Sequence, residues 1–261
     1  MNPLQFNSPL KITWHTNLTK TWQECFYPSV VEKLEKSQEK FENSFEIKDL
    51  VLDHGLLYDV FGPVYDKEVS SRPDYHLDRK EQFENIMNRI SSGTPYNIYC
   101  IYEKSTNNFT GGILYRVKDD SIAISLRAFD KDVTRNYRFR TTADYWVEAH
   151  FFNYVKQYGK NFMSHGRDKH PRIGGIGLWL YKLKVGSKPH TPPEDTEIKT
   201  FTQAEFEQMD EPVLLFDNPD ENGYYKDAYF FYKKDAVDLS FMNEVEVVLG
   251  WAQINTHVFS I

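Results

Sequence analysis

Residues 96–129 read YNIYCIYEKSTNNFTGGILYRVKDDSIAISLRAF, and this stretch determines the fold class. Its segments 96–103, 109–117 and 121–129 are rich in β-branched and aromatic residues, and turn-forming residues separate them. In the third segment every second residue is apolar, which predicts one inward face. Because the connections are short, the three segments are predicted to form an antiparallel meander.

Helical patterns lie on both sides of the meander. The first contains strong helix formers with opposite charges about one turn apart. The second starts at Asp53, a plausible N-cap, and the loop 65–76 separates it from the third. Thr141 and Thr142 can cap the fourth, which Gly159 ends. The predicted helical segments are 33–41, 56–64, 83–90, 147–158 and 176–185.

The rest of the chain alternates apolar segments and loops, and no long repeat is present. We therefore divide the sequence into an N-terminal helical extension (1–44), a core (45–190) and an acidic, strand-rich C-terminal part that completes the sheet (191–261). Further strands are predicted at 161–165, 197–202, 213–216, 227–232 and 244–249.

Charge is distributed unevenly along the chain. The whole chain has 31 basic and 38 acidic residues, a net charge of −7, which argues against nucleic-acid binding through the whole surface. Residues 126–172 carry ten basic and five acidic residues, which indicates either a pocket for an anion or ordinary surface scatter. Residues 194–246 carry fifteen acids and four bases, so we expect an acidic lid or partner surface there.

Targeting signals are not evident in the sequence. No apolar run approaches the length of a membrane span, and the first residues lack the pattern of a secretion signal. We therefore expect a cytoplasmic protein without a membrane partner.

The order of elements and one motif resemble a known family. The motif is Gly166-Arg167-Asp168-Lys169-His170-Pro171 followed by residues 177–186, GLWLYKLKVG, with a Gly-Leu pair, a lysine and a closing glycine. Over residues 45–189 the chain resembles the GNAT superfamily of acyltransferases, in the branch of the Fem-type transferases. The resemblance implies an α/β (α+β) fold with a mixed, mostly antiparallel sheet flanked by helices.

The resemblance also implies a thioester donor. This donor is an acyl-CoA, and acetyl-CoA is the favoured candidate. Family members usually hold the pyrophosphate of CoA with a glycine-rich turn before the helix that follows the third strand. Here that position reads RFRTTA, residues 138–143, without glycine. Side chains and the helix N-terminus would then have to hold the phosphates, or the threonines are only helix caps. The residues expected to bind the donor are Arg138, Arg140, Thr141 and Thr142.

The family geometry implies that the acyl group lies between the strand ends at Phe129 and Ser164. The catalytic candidates are therefore Ser164, His165 and Asp168, with His165 as the base and Asp168 orienting its ring. A hydrogen-bonded structural role for His165 is the alternative. Together with His170, His165 and Asp168 also resemble metal ligands, but a fourth ligand is missing and no metal is expected.

Acceptor binding is assigned to the loop 65–76 and to Arg167. Tyr65 is one of the assigned residues. Asp66, Glu68 and Asp74 favour a cationic acceptor such as an amine, whereas Arg72 favours a carboxylate, so an amino acid or amino sugar could use both. The alternative is an ordinary solvated loop.

Three functions remain open from the sequence. The first is an N-acyltransferase that moves an acyl group from acyl-CoA to an amine of a small molecule or amino acid. The second is an aminoacyl-tRNA-dependent Fem-type transferase, with tRNA as the partner. The third is a non-catalytic GNAT-fold binding module, and the sequence leaves a homo-oligomer open in each case.

Overall fold

The computed structural model describes residues 4–69, 79–130, 132–133, 143–191, 196–235 and 237–260. The chain folds into two compact units. The central unit is Pro28–Met163, and the terminal unit combines Met1–Tyr27 with Ser164–Ile261. These unit boundaries differ from the positions 44 and 190 expected from the sequence.

In the described part of the chain, strands and helices alternate irregularly, as in a mixed α/β fold. The helices are α1 (Trp22–Cys25), α2 (Pro28–Ser44), α3 (Gly62–Val69), α4 (Arg79–Ser91), α5 (Ala143–Val155), α6 (Gly177–Lys184), α7 (Gln203–Glu207) and α8 (Leu239–Trp251), with a π-helix at Leu56–Phe61 and a 3-10 turn at Lys156–Tyr158. The strands are β1 (Gln5–Pro9), β2 (Lys11–Asn17), β3 (Phe45–Val51), β4 (Asn97–Glu103), β5 (Phe109–Val117), β6 (Ser121–Phe129), β7 (Phe162–Lys169), β8 (Arg172–Ile173), β9 (Ser187–His190), β10 (Ile198–Thr202), β11 (Val213–Pro219), β12 (Tyr225–Tyr232) and β13 (Asn255–Ser260).

The central unit is built on the predicted meander. β4, β5 and β6 are antiparallel neighbours, which confirms the prediction, and β3 adds a fourth antiparallel strand beside β4. Phe61, Phe83, Ile98 and Leu114 are fully buried in one core cluster, which joins the π-helix and α4 to the sheet. Burial of each of these large apolar side chains contributes about 1.5–3 kcal/mol to stability.

Two further predicted helices of the central unit are confirmed, one expected from helix-forming residues with paired opposite charges and the other from its apolar periodicity. α2 buries Val30, Leu34, Ser37 and Phe41, three or four residues apart. α5 precedes Gly159, which adopts φ +62° as a helix-ending residue should. The rings of Phe41 and Trp146 stack at 5.0 Å between centroids, so the two helices pack directly on each other.

The terminal unit contains three groups of strands. β13, β12, β11 and β8 form one sheet, β1 pairs with β10, and β2 lies between β7 and β9. β12 and β13 run parallel, whereas the pairs β11–β12, β1–β10 and β2–β9 are antiparallel. Trp14 of β2 and Trp179 of α6 are fully buried, with their rings 5.4 Å apart. The sheets are mixed and mostly antiparallel, as expected.

Three local predictions were wrong. Residues 5–17 form strands within the expected helical extension, because β1 and β2 find their partners in the distant β10 and β9. Residues 244–249 belong to α8 and are not a strand, since Asp238 caps that helix and its buried residues recur three or four apart. The expected loop 65–76 begins in helix, because α3 continues to Val69.

Candidate functional site

Strand β7 carries four of the residues assigned to chemistry: Ser164, His165, Arg167 and Asp168. Ser164, His165 and Asp168 are half-buried, while Arg167 is exposed. Gly166, between His165 and Arg167, has φ +82°, a backbone conformation that residues other than glycine rarely adopt. Position 166 therefore favours glycine.

Lys182 of α6 links two of these positions. Its ammonium donates to the main-chain oxygen of His165 at 3.1 Å and to Asp168 Oδ2 at 2.9 Å. It also lies 5.3 Å from the ring centroid of Trp14. The side chains of Lys182 and Asp168 are only 8% and 14% exposed, so this ion pair is largely shielded from water.

The imidazole of His165 is held from another strand. Its Nε2 lies 3.1 Å from Oγ1 of Thr16, a fully buried residue of β2. The Asp168 carboxylate contacts Lys182, which in turn bonds the main-chain oxygen of His165, so the lysine links the two residues through the backbone. Thr16 therefore positions the ring, and Lys182 positions the backbone of the same residue.

Sequence reasoning assigned no role to Thr16 or Lys182. The role of Lys182 could have been predicted, because it follows Trp179 and Leu180 on an apolar helix. A buried lysine is usually paired with a carboxylate. Thr16 had none, since 149 residues separate it from His165.

His170 has a structural role, which removes it from the alternative metal set. Its ring is buried against the parallel rings of Trp179 and Phe216. Nε2 accepts the main-chain N–H of Phe216 at 2.8 Å, so the proton is on Nδ1, close to Ser8 Oγ and Pro9 O. Burial lowers the pKa of His170 to about 4. Among the described residues no group of three His, Cys, Asp or Glu side chains is arranged to hold a metal ion.

The buried neutral state of His170 predicts an acid-sensitive fold. In the unfolded chain the ring takes up a proton below about pH 6.5, but in the folded protein only below about 4. Stability should therefore fall by about 3 kcal/mol as the pH drops through this interval. Urea titrations of wild type and His170→Gln between pH 4 and 7 test this. The variant should be less stable throughout but should lack this part of the pH dependence, whereas the exposed-residue control His54→Gln should retain it.

Of the acceptor residues that the structure describes, Tyr65 and Asp66 lie on α3 of the central unit, and Arg167 lies on β7. The ring of Tyr65 is in the core, and its hydroxyl donates to Gln82 Oε1 at 2.8 Å. Asp66 forms an ion pair with Arg79 of α4, and Glu68 accepts the main-chain N–H of Phe129 at 2.8 Å. These contacts attach α3 to its neighbours. Arg72, Arg138, Arg140, Thr141 and Thr142 lie outside the described residues.

Several solved structures have a fold similar to that of this chain. FemX superposes with a TM-score of 0.50 at 11% sequence identity, over 68% of this chain and 59% of that one. A conserved protein of unknown function from Bacteroides thetaiotaomicron (TM-score 0.47, 10% identity, 76% and 62% covered) and a tandem GNAT protein from the clavulanic acid biosynthesis pathway (0.42, 8%, 77% and 56%) also match. This chain thus spans about three fifths of the length of FemX. Its fold is GNAT-like and resembles that of the Fem-type transferases.

The other comparisons add no relative. No protein-family profile and no curated protein matches the sequence. Within the described part of the chain, no helix has the length and apolar character that a membrane crossing requires.

Proposed function

We propose that this chain is an N-acyltransferase that moves an acyl group from acyl-CoA, acetyl-CoA first, to an amine of a small molecule or amino acid. The observation that supports it most is a half-buried imidazole, His165, held on a strand of a GNAT-like fold by Thr16. Catalysis of this kind depends on positioning and proton transfer and needs no covalent enzyme nucleophile.

The proposed reaction has a simple balance. The amine nitrogen attacks the thioester carbonyl carbon, a C–N bond forms and the C–S bond breaks. The imidazole of His165 accepts the proton that the amine loses, and the departing sulfur takes up a proton to leave as CoA thiol. Asp168 and Lys182 are positioning residues in this scheme, and Ser164 completes the catalytic set beside His165.

The remaining roles are assigned by charge. Arg138 and Arg140, with the hydroxyls of Thr141 and Thr142, would bind the phosphates of the donor. Asp66 and the hydroxyl of Tyr65 would bind the acceptor amine. Arg72 and Arg167 would bind a carboxylate of the acceptor, as in an amino acid. The proposed setting is the cytoplasm.

The second candidate is the aminoacyl-tRNA-dependent reaction that the Fem-type resemblance implies. The likeness to FemX and the basic excess of residues 126–172 favour it. The acidic remainder of the chain disfavours a polyanionic partner. A non-catalytic binding module would have the same fold but would transfer an acyl group neither from acyl-CoA nor from aminoacyl-tRNA.

Release of free CoA thiol from acetyl-CoA in the presence of a panel of amines tests the first candidate. Cys25 and Cys100 are buried, and burial raises the pKa of Cys100 to about 12, so the protein adds little thiol background. His165→Gln should lower kcat by about 10²–10⁴-fold with little change in KM for the donor. His54→Gln is the matched control. Unchanged turnover in His165→Gln would remove it as the base.

A further inference from the structure

A second site is suggested by a cavity of about 420 Å³ in the terminal unit. Its volume is in the range of small-molecule sites. It is bordered by β2, β9, the turn before β12 and the end of α8. The side chains that matter for its chemistry are three lysines and two rings: Lys20, Lys188, Lys226, His15 and Tyr224.

The pairing of β2 with β9 explains why cationic and aromatic groups meet here. His15 lies opposite Lys188 in the antiparallel register, and alternation brings His190 to the same face. The rings of His15 and His190 are 4.3 Å apart, and Tyr224 packs edge-on against His190 at 4.9 Å. These rings lie on the face of the β2–β9 pair that also carries Lys188.

The carboxylates that border the cavity are already engaged. Asp220 pairs with Lys226 at 3.0 Å, and its Oδ1 accepts the main-chain N–H groups of Asn222 and Tyr224. Glu24 accepts the N–H and the hydroxyl of Thr21 in a helix capping box. These bonds hold both carboxylates in place within the lining.

Lys188 of β9 also lines the cavity. Among the described residues no carboxylate lies within 4.0 Å of its ammonium. Burial, and then the like charges of Lys226 and Lys20, lower its pKa. An ammonium repelled by two others gains most from a multiply charged anion.

We propose that this cavity binds the phosphate group of a small phosphorylated molecule. Lysines bind phosphate as point charges, and a cavity of about 420 Å³ also holds an organic part, which would contact His15 and Tyr224. The site is separate from the candidate acyl-transfer residues. Thr16, next to His15 on β2, is buried against His165, and adjacent strand residues face opposite sides.

Calorimetric titration with pyrophosphate, at constant ionic strength set by chloride, tests this inference. Wild type should bind pyrophosphate, and Lys188→Gln and Lys226→Gln should each weaken binding about tenfold or more. Lys233→Gln removes an exposed lysine that pairs with Asp210 elsewhere in the same unit, and it should bind like wild type. Thermal melts of each variant report whether it is folded.

Vesicles of phosphatidylcholine containing phosphatidic acid distinguish the source of the phosphate. Binding of pyrophosphate in solution without sedimentation on vesicles supports a soluble ligand, whereas sedimentation that Lys188→Gln abolishes supports a lipid headgroup. Failure of folded wild type to bind either probe would overturn the inference, as would binding that both lysine variants retain. Neither result depends on acyl transfer.

Discussion

Lys182→Met is expected to lower the free energy of unfolding by about 3–5 kcal/mol. The substitution keeps the length of the side chain but leaves the Asp168 carboxylate, only 14% exposed, without the ammonium at 2.9 Å. It also removes the bond to the main-chain oxygen of His165. Because an uncompensated buried charge costs far more than a lost surface pair, the effect should be large in chemical denaturation at neutral pH.

A neighbouring lysine provides the matched control. Lys184, on the same helix, pairs with the more exposed Glu244, so Lys184→Met should cost about 1 kcal/mol or less. Adding Asp168→Asn to Lys182→Met removes the stranded charge and should recover part of the loss. A Lys182→Met variant as stable as Lys184→Met would contradict the buried ion pair.

Gly186→Ala is expected to destabilise the protein by about 4 kcal/mol, through backbone strain and overpacking together. Gly186 follows α6 with φ +76°, and a Cβ there would lie 2.4 Å from the main-chain oxygen of Cys25. Backbone atoms cannot rotate away as a flexible side chain can. The closing glycine of the motif is therefore required by the close approach of the Cys25 segment.

The variant Gly159→Ala separates backbone strain from overpacking, the two causes of the expected effect of Gly186→Ala. Gly159 has φ +62°, but nothing lies within 4 Å of its added Cβ, so only the backbone conformation is penalised. Its expected cost is about 1 kcal/mol. Equal unfolding free energies for the two variants, measured by urea titration, would show that the contact with Cys25 is not tight.

The meander could be predicted because its signal is local. Segments 96–103, 109–117 and 121–129 pair with their nearest neighbours through short turns, so periodicity and turn residues were sufficient. β1 pairs with β10, and β2 pairs with β9, over more than 170 residues, and no local pattern predicts such pairing. The N-terminal strands were missed for that reason.

α8 shows how a local pattern can mislead. Residues 244–249, EVEVVL, alternate like a strand and are rich in β-branched valine. The residues buried in α8 are Met242, Val245, Val248 and Leu249, which follow the helical period over a longer window. The cap at Asp238 and the packing of this face override the strand propensity of the valines.

The candidate site could be predicted in part. Resemblance and position selected His165 and Asp168, but the contacts to Thr16 and Lys182 require the folded chain. The charge count along the sequence did not predict the lysine-lined cavity of about 420 Å³. Its lysines lie outside the basic segment 126–172, and Lys226 lies within the most acidic segment. A charge count along the sequence averages over residues that the fold separates.

A melting-temperature screen of the purified protein against acetyl-CoA, longer acyl-CoAs, free CoA and tRNA tests the proposed acyl transfer most directly. A ligand at 100 times its Kd should stabilise the protein by about 2.7 kcal/mol, which gives a readily measured shift. We predict a rise with acyl-CoA that persists at moderate salt. No rise with any CoA species, together with salt-sensitive stabilisation by tRNA, would contradict the proposal in favour of the tRNA-dependent reaction.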